Sequence, residues 1–289
     1  MKKLLAMAVT AAFTVSMLAG CGQSAETTDA SAQETETEAA DEETAGTADA
    51  ASEDTAERTT FTVGFDAEFP PYGYMDESGE YTGFDLELAQ EVCDRNGWEL
   101  VKQPIDWDSK DMELSSGAID CIWNGFTMNG REDAYTFSVP YVDNSQVFVV
   151  AADSGITAFD DLAGKNVGVQ KDSSALAALE GDAADLAATF GNLTQYSDYN
   201  TAFMDLEQGA IDALAIDVGV ADYQIASRGE GFVKLSENLA SEQYGIGFKL
   251  GNVELKDQVE KTLLEMADDG TFGKIAEKYG LSDSVCLGK

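Results

Sequence analysis

The stretch GAIDCIWNGFTMNGREDAYTFSVPY, which runs from Gly117 to Tyr141, decides the predicted fold. Gly117 suits the end of a helix, because glycine readily adopts the left-handed backbone found there. Residues 118–124 form a mostly apolar run without alternation, which predicts a strand buried on both faces. Residues 125–131 then form a polar loop that ends on Arg131. Ligands bind beyond the carboxyl ends of strands in open α/β sheets, and a guanidinium there suits a carboxylate.

Part of this pattern occurs a second time. The sequence GAID at 117–120 recurs at 209–212, and each copy follows a short predicted helix and leads into an apolar run. The residue five places after the first copy is Gly125, and the residue five places after the second is Asp217. Strands and helices alternate along the region, which predicts largely parallel sheets covered by helices. The repeat therefore predicts two similar α/β lobes, each with polar groups at a strand end.

The start of the chain has the sequence pattern of an export signal and is not predicted to belong to the folded region. Residues 1–20 have two early lysines, an apolar stretch and small residues, the pattern of a secretory signal peptide. The sequence LAGC that ends at Cys21 resembles the lipobox of bacterial lipoproteins, which implies a lipid on that sulfur. The alternative is an ordinary signal peptide with an incidental cysteine. Residues 21–58 are acidic and polar, which predicts a disordered tether, with an acidic recognition tail as the alternative.

Composition excludes several functions. The net charge of −37 argues against nucleic acid as a partner. The chain has no histidine, the commonest general base and metal ligand, so we expect no metal, no cofactor and no catalytic residue. Cys93, Cys121 and Cys286 are too far apart in sequence for a CxxC unit. A disulfide between Cys93 and Cys286 stays open at this point.

The predicted strand ends carry groups that fit a small zwitterion. Arg131 would bind its carboxylate, assisted by Thr127 and by the amides of a helix that begins at Ser174. Asp217 would bind its ammonium group, assisted by the carbonyl of Gly125. These residues therefore predict a site that grips a free amino acid at both ends.

The remaining predicted site residues would surround the ligand side chain. Phe69 and Trp107 would flank it, and Asp66 and Ser173 complete the set. An acidic mouth formed by Asp66 and Glu68 favours polar or cationic side chains over acidic ones.

Each of these residues also has an interpretation without a ligand. In that interpretation, Arg131 would be a surface arginine paired with an adjacent acid. Asp217 and the two serines would be helix N-caps, since these residue types favour that position. The two aromatic residues would form the rim of a core. Asp85 is interpreted as part of the solvated start of a helix.

Several motifs of the folded region occur together in one known family. They are GFD at 64–66, FPPY at 69–72, GFDLELA at 83–89, SGAID at 116–120, GFT at 125–127 with Arg131, FSVPY at 137–141, LAGKNVGVQ at 162–170 and GAIDA at 209–213. With them, residues 59–280 resemble the bacterial extracellular solute-binding proteins of family 3, the polar amino-acid-binding lipoproteins of ABC importers.

The resemblance implies a two-lobe, type II periplasmic-binding-protein-like fold with two hinge crossovers, near Asn144 and near Gln243. Lobe 1 would comprise 59–145 and 244–289, and lobe 2 would comprise 146–243. The implied function is capture of a free amino acid and its delivery to an ABC permease, by a lipid-anchored monomer outside the cell membrane.

The family's ligand residues fall on positions already singled out from the sequence. The carboxylate arginine falls on Arg131 and the ammonium aspartate on Asp217; the others fall on Phe69, Trp107, Gly125, Thr127 and Ser174. The loop before Phe137 is one residue shorter than is usual in the family, with Asn129-Gly130 at the turn, which leaves the pose of Arg131 open. Two other functions stay open on the same fold, a periplasmic-type dehydratase and a sensory ligand-binding lobe.

Overall fold

The computed structural model of the protein describes residues 58–288. The predicted signal peptide, Cys21 and all but the last residue of the predicted tether lie outside the described residues. That last residue, Arg58, forms an ion pair with Asp120 at 2.8 Å. No helix within the described range is both long enough and apolar enough to cross a membrane.

The described chain alternates between strands and helices. The strands are β1 (Thr60–Phe65), β2 (Glu68–Phe69), β3 (Gly73–Met75), β4 (Tyr81–Thr82), β5 (Glu99–Pro104), β6 (Cys121–Ile122), β7 (Tyr135–Phe137), β8 (Val142–Ala151), β9 (Asn166–Gln170), β10 (Asn192–Tyr196), β11 (Ala213–Asp217), β12 (Phe232–Lys234), β13 (Ala240–Tyr244) and β14 (Gly247–Lys249). The helices are α1 (Phe84–Asn96), α2 (Lys110–Ser116), α3 (Ser174–Glu180), α4 (Ala184–Ala187), α5 (Tyr199–Glu207), α6 (Val218–Arg228), α7 (Val253–Asp268) and α8 (Thr271–Lys278). Short 3-10 helices cover Trp107–Ser109 and Phe159–Leu162.

The first sheet has the strand order β5-β1-β6-β14-β7. β1 pairs in parallel with both β5 and β6, because helices α1 and α2 return the chain before each of those strands. The side chains of Phe61, Val63 and Phe65 are fully buried, and helices α1, α7 and α8 pack together over them. A small separate sheet, β2-β3-β4, carries Phe69 beyond the carboxyl end of β1.

The second sheet has the order β10-β9-β11-β8-β12, and β13 also pairs with β8. The chain enters this sheet between β7 and β8 and leaves it between β13 and β14. Because β8 and β13 run side by side in opposite directions, both passages between the sheets lie next to each other. Helices α3, α5 and α6 pack on the second sheet.

The prediction of largely parallel sheets is wrong, because five of the nine pairings in the two large sheets are antiparallel. β8 is antiparallel to β11, β12 and β13, and β14 is antiparallel to β6 and β7. No helix connects β7 to β8 or β13 to β14, so these strands enter their sheets in the reverse direction. The predicted strand at 118–124 is also reduced to Cys121–Ile122.

The repeated GAID sequence, at 117–120 and at 209–212, forms the same turn from a helix into a strand in both sheets. This turn is called the corner below. Gly117 and Gly209 both have left-handed backbone, with φ of 80° and 70°. The carboxylate of Asp120 accepts a hydrogen bond from the amide of Thr62 at 2.7 Å, at the start of the first sheet. The carboxylate of Asp212 accepts one from the amide of Asn166 at 2.8 Å, at the start of the second. Each corner therefore attaches its strand to the neighbouring parallel strand.

Cys93 is a buried free thiol on α1, so the open alternative of a Cys93–Cys286 disulfide is not realised in the structure.

Candidate ligand-binding site

A small cavity lies between the strand ends of the two sheets. Eight of the nine predicted site residues line it, together with Gln170, which was not predicted. The lining residues are Phe69, Trp107, Gly125, Thr127, Arg131, Gln170, Ser173, Ser174 and Asp217. The ninth predicted residue, Asp66, touches this lining through Gln170.

Arg131 contributes the positive charge of the cavity lining. Its guanidinium donates to the Thr127 carbonyl at 3.0 Å and lies 4.9 Å from the centre of the Phe126 ring. The shortened loop is a tight turn, because the amide of Arg131 donates to the carbonyl of Met128 at 3.0 Å. The side chain of Asn129 accepts from the amide of Gln243 at 2.7 Å and attaches the turn to β13. This arrangement aims Arg131 at the cavity rather than at the acids that follow it in sequence.

Asp217 lies in the second sheet, where β11 meets α6. It occupies the N-cap position of α6, yet its side chain makes no capping hydrogen bond. Its carboxylate accepts from Asn144 at 2.9 Å, Gln146 at 2.7 Å and Tyr244 at 2.5 Å. Burial, and then the nearby charge of Glu242, raise the pKa of this carboxyl to about 7. The N-cap alternative therefore does not describe what this side chain does.

Glu242 is a buried acid beside the lining residues that the sequence did not predict. It lies on β13 and is almost fully buried. Its Oε1 atom accepts from Thr127 at 2.9 Å, Asn144 at 2.7 Å and Gln146 at 2.8 Å. The partner strand β8 has four consecutive polar residues at 143–146, of which Asn144 and Gln146 are buried, and this burial is not visible in the sequence.

The two adjacent serines have different roles. Ser173 is the N-cap of α3, and its hydroxyl accepts from the amide of Leu176 at 3.1 Å. Ser174 instead turns its hydroxyl into the polar network, where it accepts from Gln146 at 2.9 Å and donates to Glu242 at 3.2 Å. The capping alternative thus describes Ser173, and Ser174 faces the polar end of the cavity.

The two predicted aromatic residues are buried at the cavity wall. The Phe69 ring packs against Tyr72 and Tyr199, with centroids 5.7 and 5.8 Å away. It lies so close to Gly125 that a Cβ atom there would be 2.8 Å from the ring. The Trp107 ring meets Phe126 edge-on at 5.7 Å. These rings give the cavity an apolar part of its wall.

Asp66 connects the two sheets. Its carboxylate accepts from the amide of Glu68 at 2.8 Å and from the side chain of Gln170, on the second sheet, at 2.7 Å. Burial raises the pKa of this carboxyl to about 6.

The interpretation of Asp85 as a solvated residue is wrong. Its side chain is fully buried, and its Oδ2 atom accepts from the amide of Gly125 at 2.6 Å. Burial raises the pKa of this carboxyl to about 7. Gly125 has φ of 55°, a left-handed conformation in which a main-chain amide is free to point at such a partner. Asp85 therefore holds the main chain that forms one wall of the cavity.

The family assignment follows from the comparison with known proteins. Residues 61–282 match the model of the bacterial extracellular solute-binding proteins, family 3. The chain belongs to this family. This confirms the resemblance drawn from the sequence motifs, and the fold is the expected type II periplasmic-binding-protein fold.

Individual relatives of this solute-binding protein agree with the assignment. L-cystine-binding protein TcyJ of Escherichia coli (strain K12) is 30% identical over 226 residues, 77% of this chain and 83% of TcyJ. An ABC uptake transporter substrate binding protein from Streptococcus pneumoniae, solved with bound histidine, is 34% identical with a TM-score of 0.75, over 78% of this chain and 94% of that one. The ancestral amino acid-binding protein AncCDT-1, a precursor of cyclohexadienyl dehydratase, is 28% identical with a TM-score of 0.70, over 76% and 95% of the two chains.

In this solute-binding protein, contacts from both sheets close over the cavity. Buried Lys110, on the first sheet's side, forms an ion pair with Asp172 on the second. Thr127 donates to Ser174 at 3.2 Å across the same cleft. Asp172 is the one non-glycine residue within 58–288 that has positive φ, at 53°, and this backbone places it against Lys110. No cluster of acidic or cysteine side chains suited to a metal ion is found in that same range.

Proposed function

We infer that this chain is the extracellular substrate-binding protein of an amino-acid ABC transporter, which captures a free amino acid between two lobes and delivers it to the permease. One observation carries this inference: Arg131, from a loop of the first sheet, and Asp217, from a strand of the second, line the same cavity. A zwitterion needs a cation at one end and an anion at the other, and each charge-assisted contact strengthens in a buried site.

The predicted roles then follow from the placement of the groups. Arg131 takes the ligand carboxylate, with the Thr127 and Ser174 hydroxyls beside it. Asp217 takes the ligand ammonium, and the Gly125 carbonyl assists. Phe69 and Trp107 hold the side chain between their rings, and Asp66 and Ser173 support the walls.

The lobes are proposed to be 59–145 with 244–289, and 146–243. Each contains one of the two large sheets, apart from a few residues at the two passages. Because both passages lie side by side on β8 and β13, a small change of backbone angles there would rotate one lobe relative to the other. Closure on the ligand would create the surface that the permease recognises.

The proposed setting is the outer face of the cell membrane. A lipid on Cys21 would hold the protein there as a monomer, and the acidic tether at 21–58 would allow the folded region to reach the permease. Metabolic labelling with a fatty acid tests the anchor, since Cys21→Ser removes the label if the lipid is attached at that sulfur.

Binding is tested by a thermal-shift screen of the twenty amino acids and cystine, followed by calorimetric titration. We expect at least one amino acid to raise the melting temperature and to bind with one-to-one stoichiometry. Arg131→Ala should abolish the shift while the protein stays folded by circular dichroism. A chain that binds none of these compounds overturns the proposed function.

The second candidate function is a dehydratase on the same fold. It is favoured by the likeness to AncCDT-1 and by the buried carboxyls Asp85 and Asp217, whose pKa values of about 7 suit proton transfer. We propose that the protein is not an enzyme, since the charged groups of the cavity are arranged as a zwitterion clamp. Incubation with cyclic hydroxy acids of the prephenate type, followed by chromatography, would reveal product if the dehydratase assignment were right.

A further inference from the structure

Two buried carboxylates, Asp217 of the cavity lining and Glu242 of β13, share hydrogen-bond donors. The amide nitrogen of Asn144 lies 2.9 Å from Asp217 and 2.7 Å from Glu242. The amide nitrogen of Gln146 lies 2.7 Å from Asp217 and 2.8 Å from Glu242. Two side-chain amides therefore bridge the same pair of acids and hold them together.

The two amides that bridge this pair each have an acceptor without a donor. Asn144 and Gln146 are 5% and 0% exposed, and their amide oxygens accept no hydrogen bond within the described part of the chain. A buried acceptor without a partner is costly. Two acids and two amide oxygens without a donor favour a ligand group that has several N–H donors and a positive charge. An ammonium group has both.

The groups that face this pair do not neutralise it. Tyr199 and Tyr244 donate their hydroxyls to Asp217, and Tyr72 lies near both acids. Burial raises the pKa of all three phenols well above the ordinary value, so they stay neutral. The one cation of the lining, Arg131, donates to the carbonyls of Thr127 and Asp172 instead.

We propose that Glu242 is a second acidic residue of the ligand pocket, which pairs with Asp217 so that capture of the ligand releases a proton. Without ligand the proton of the pair resides on Asp217, because burial and the nearby charge of Glu242 disfavour ionisation of that carboxyl. The ligand ammonium replaces that proton: the protonated pair and the ammonium ion give the ionised pair with the ammonium bound, and one proton passes to solvent. This inference rests on the proposed function.

The direction of the pH effect follows from linkage. The pKa of Asp217 is raised to about 7 in the empty pocket, and a bound ammonium would lower it. The ligand therefore binds best above this pKa, and its affinity falls as the pH drops below it. Between pH 7.5 and pH 5.5 the affinity should fall about 20-fold.

The experiment is calorimetric titration of the wild-type protein with L-arginine, L-glutamine and L-cystine at pH 5.5 and 7.5. Repeating it at pH 6.5 in two buffers of different ionisation enthalpy measures proton release. We expect the 20-fold loss of affinity at the lower pH and release of more than half a proton at pH 6.5.

Glu242→Gln isolates the pair, because glutamine keeps the size of the side chain and removes one charge. Asp217 would then ionise at lower pH, so the difference between the two pH values should shrink to about threefold or less and proton release should fall toward zero. Glu230→Gln, which removes an exposed acid after α6, is the matched control and should keep the wild-type profile.

The outcomes separate this inference from the proposed function. A wild-type protein that binds an amino acid with less than a twofold pH effect, or a Glu242→Gln variant with an unchanged profile, overturns the proton-coupled pair and leaves the binding function intact. A protein that binds none of the three probes and no other amino acid overturns both.

Discussion

The two GAID corners are the same in structure and opposite in chemistry. In each, a left-handed glycine ends a helix, and an aspartate accepts from the amide of the neighbouring strand. In each, the isoleucine packs on a glycine of that strand: Ile119 on Gly64 and Ile211 on Gly168. The corner is thus a scaffold that both sheets use.

The difference lies in the residues that follow. After the first corner the chain makes two strand residues, turns at Gly125 and forms the loop that carries Arg131. After the second it makes the five-residue strand β11 and enters α6 directly, with Asp217 at the junction. The same scaffold therefore presents a cation from one sheet and an anion from the other. The charged side chains proposed to bind the ligand therefore lie in the segment that follows each corner, and not in the corner itself.

The largest expected effect comes from removing either charge. Arg131→Ala and Asp217→Asn should each weaken amino-acid binding by about a hundredfold or more, because each leaves one end of a buried zwitterion unpaired. Calorimetric titration measures the loss. Arg131→Lys is the control that keeps the charge without the planar fork, and it should recover part of the affinity. Binding within threefold of wild type in either charge-removal variant would contradict the opposed-charge model.

The next effect concerns stability and its dependence on pH. It comes from one buried acid beside each large sheet, Asp85 for the first sheet and Asp217 for the second. Burial raises the pKa of both carboxyls from 3.8 to about 7, and at Asp217 the nearby charge of Glu242 adds to the effect of burial. A carboxyl with a raised folded-state pKa contributes stability at low pH that is lost as the pH rises through that pKa. The ligand-free protein should therefore be more stable at pH 5 than at pH 7.5, by about 2 kcal/mol for each group.

Urea unfolding at the two pH values tests this expectation. Asp85→Asn and Asp217→Asn should each remove the part of the pH 5 to pH 7.5 difference in unfolding free energy that its carboxyl causes. The double variant should remove both parts. Greater stability of the wild-type protein at pH 7.5 than at pH 5 would show that these acids are not buried as described.

The next test adds a methyl group at the glycine that each corner isoleucine contacts. It compares how much stability each corner loses. A Cβ atom at Gly64 would lie 2.4 Å from Ile119 Cδ1, and one at Gly168 would lie 2.6 Å from Ile211 Cδ1. Gly64→Ala and Gly168→Ala should each destabilise the protein by about 1–3 kcal/mol. Combining them with Ile119→Val and Ile211→Val, which remove the clashing methyl groups, should restore part of the loss. Thermal or urea unfolding gives the values, and two unequal losses would show that the corners are less alike than their geometry indicates.

The smallest effect is expected at the aspartates of the corners. Asp120→Ala and Asp212→Ala each leave a strand amide without its side-chain acceptor, which should cost about 1 kcal/mol. Asp120 also pairs with Arg58, an ion pair that is partly exposed and adds little. Equal losses within about 0.5 kcal/mol, measured by urea unfolding, would support equivalent roles for the two residues, and a loss at one site alone would argue against them.

The sequence determined the family, the two-lobe fold, the repeated corner and a set of residues of which eight line one cavity. These features are local: a glycine that ends a helix, a polar residue at a strand end and a short motif can each be read without knowing their neighbours.

The tertiary structure decided what depends on distant partners. Glu242 belongs to the hydrogen-bond network of Asp217 because Gln146, 96 positions before Glu242, donates to both acids. Asp85 has its buried partner in the amide of Gly125, 40 positions later. The antiparallel entry of β8 and β14 likewise depends on passages between the sheets that no local pattern marks. A carboxylate's environment is set by the groups packed around it, and a linear pattern does not specify those groups.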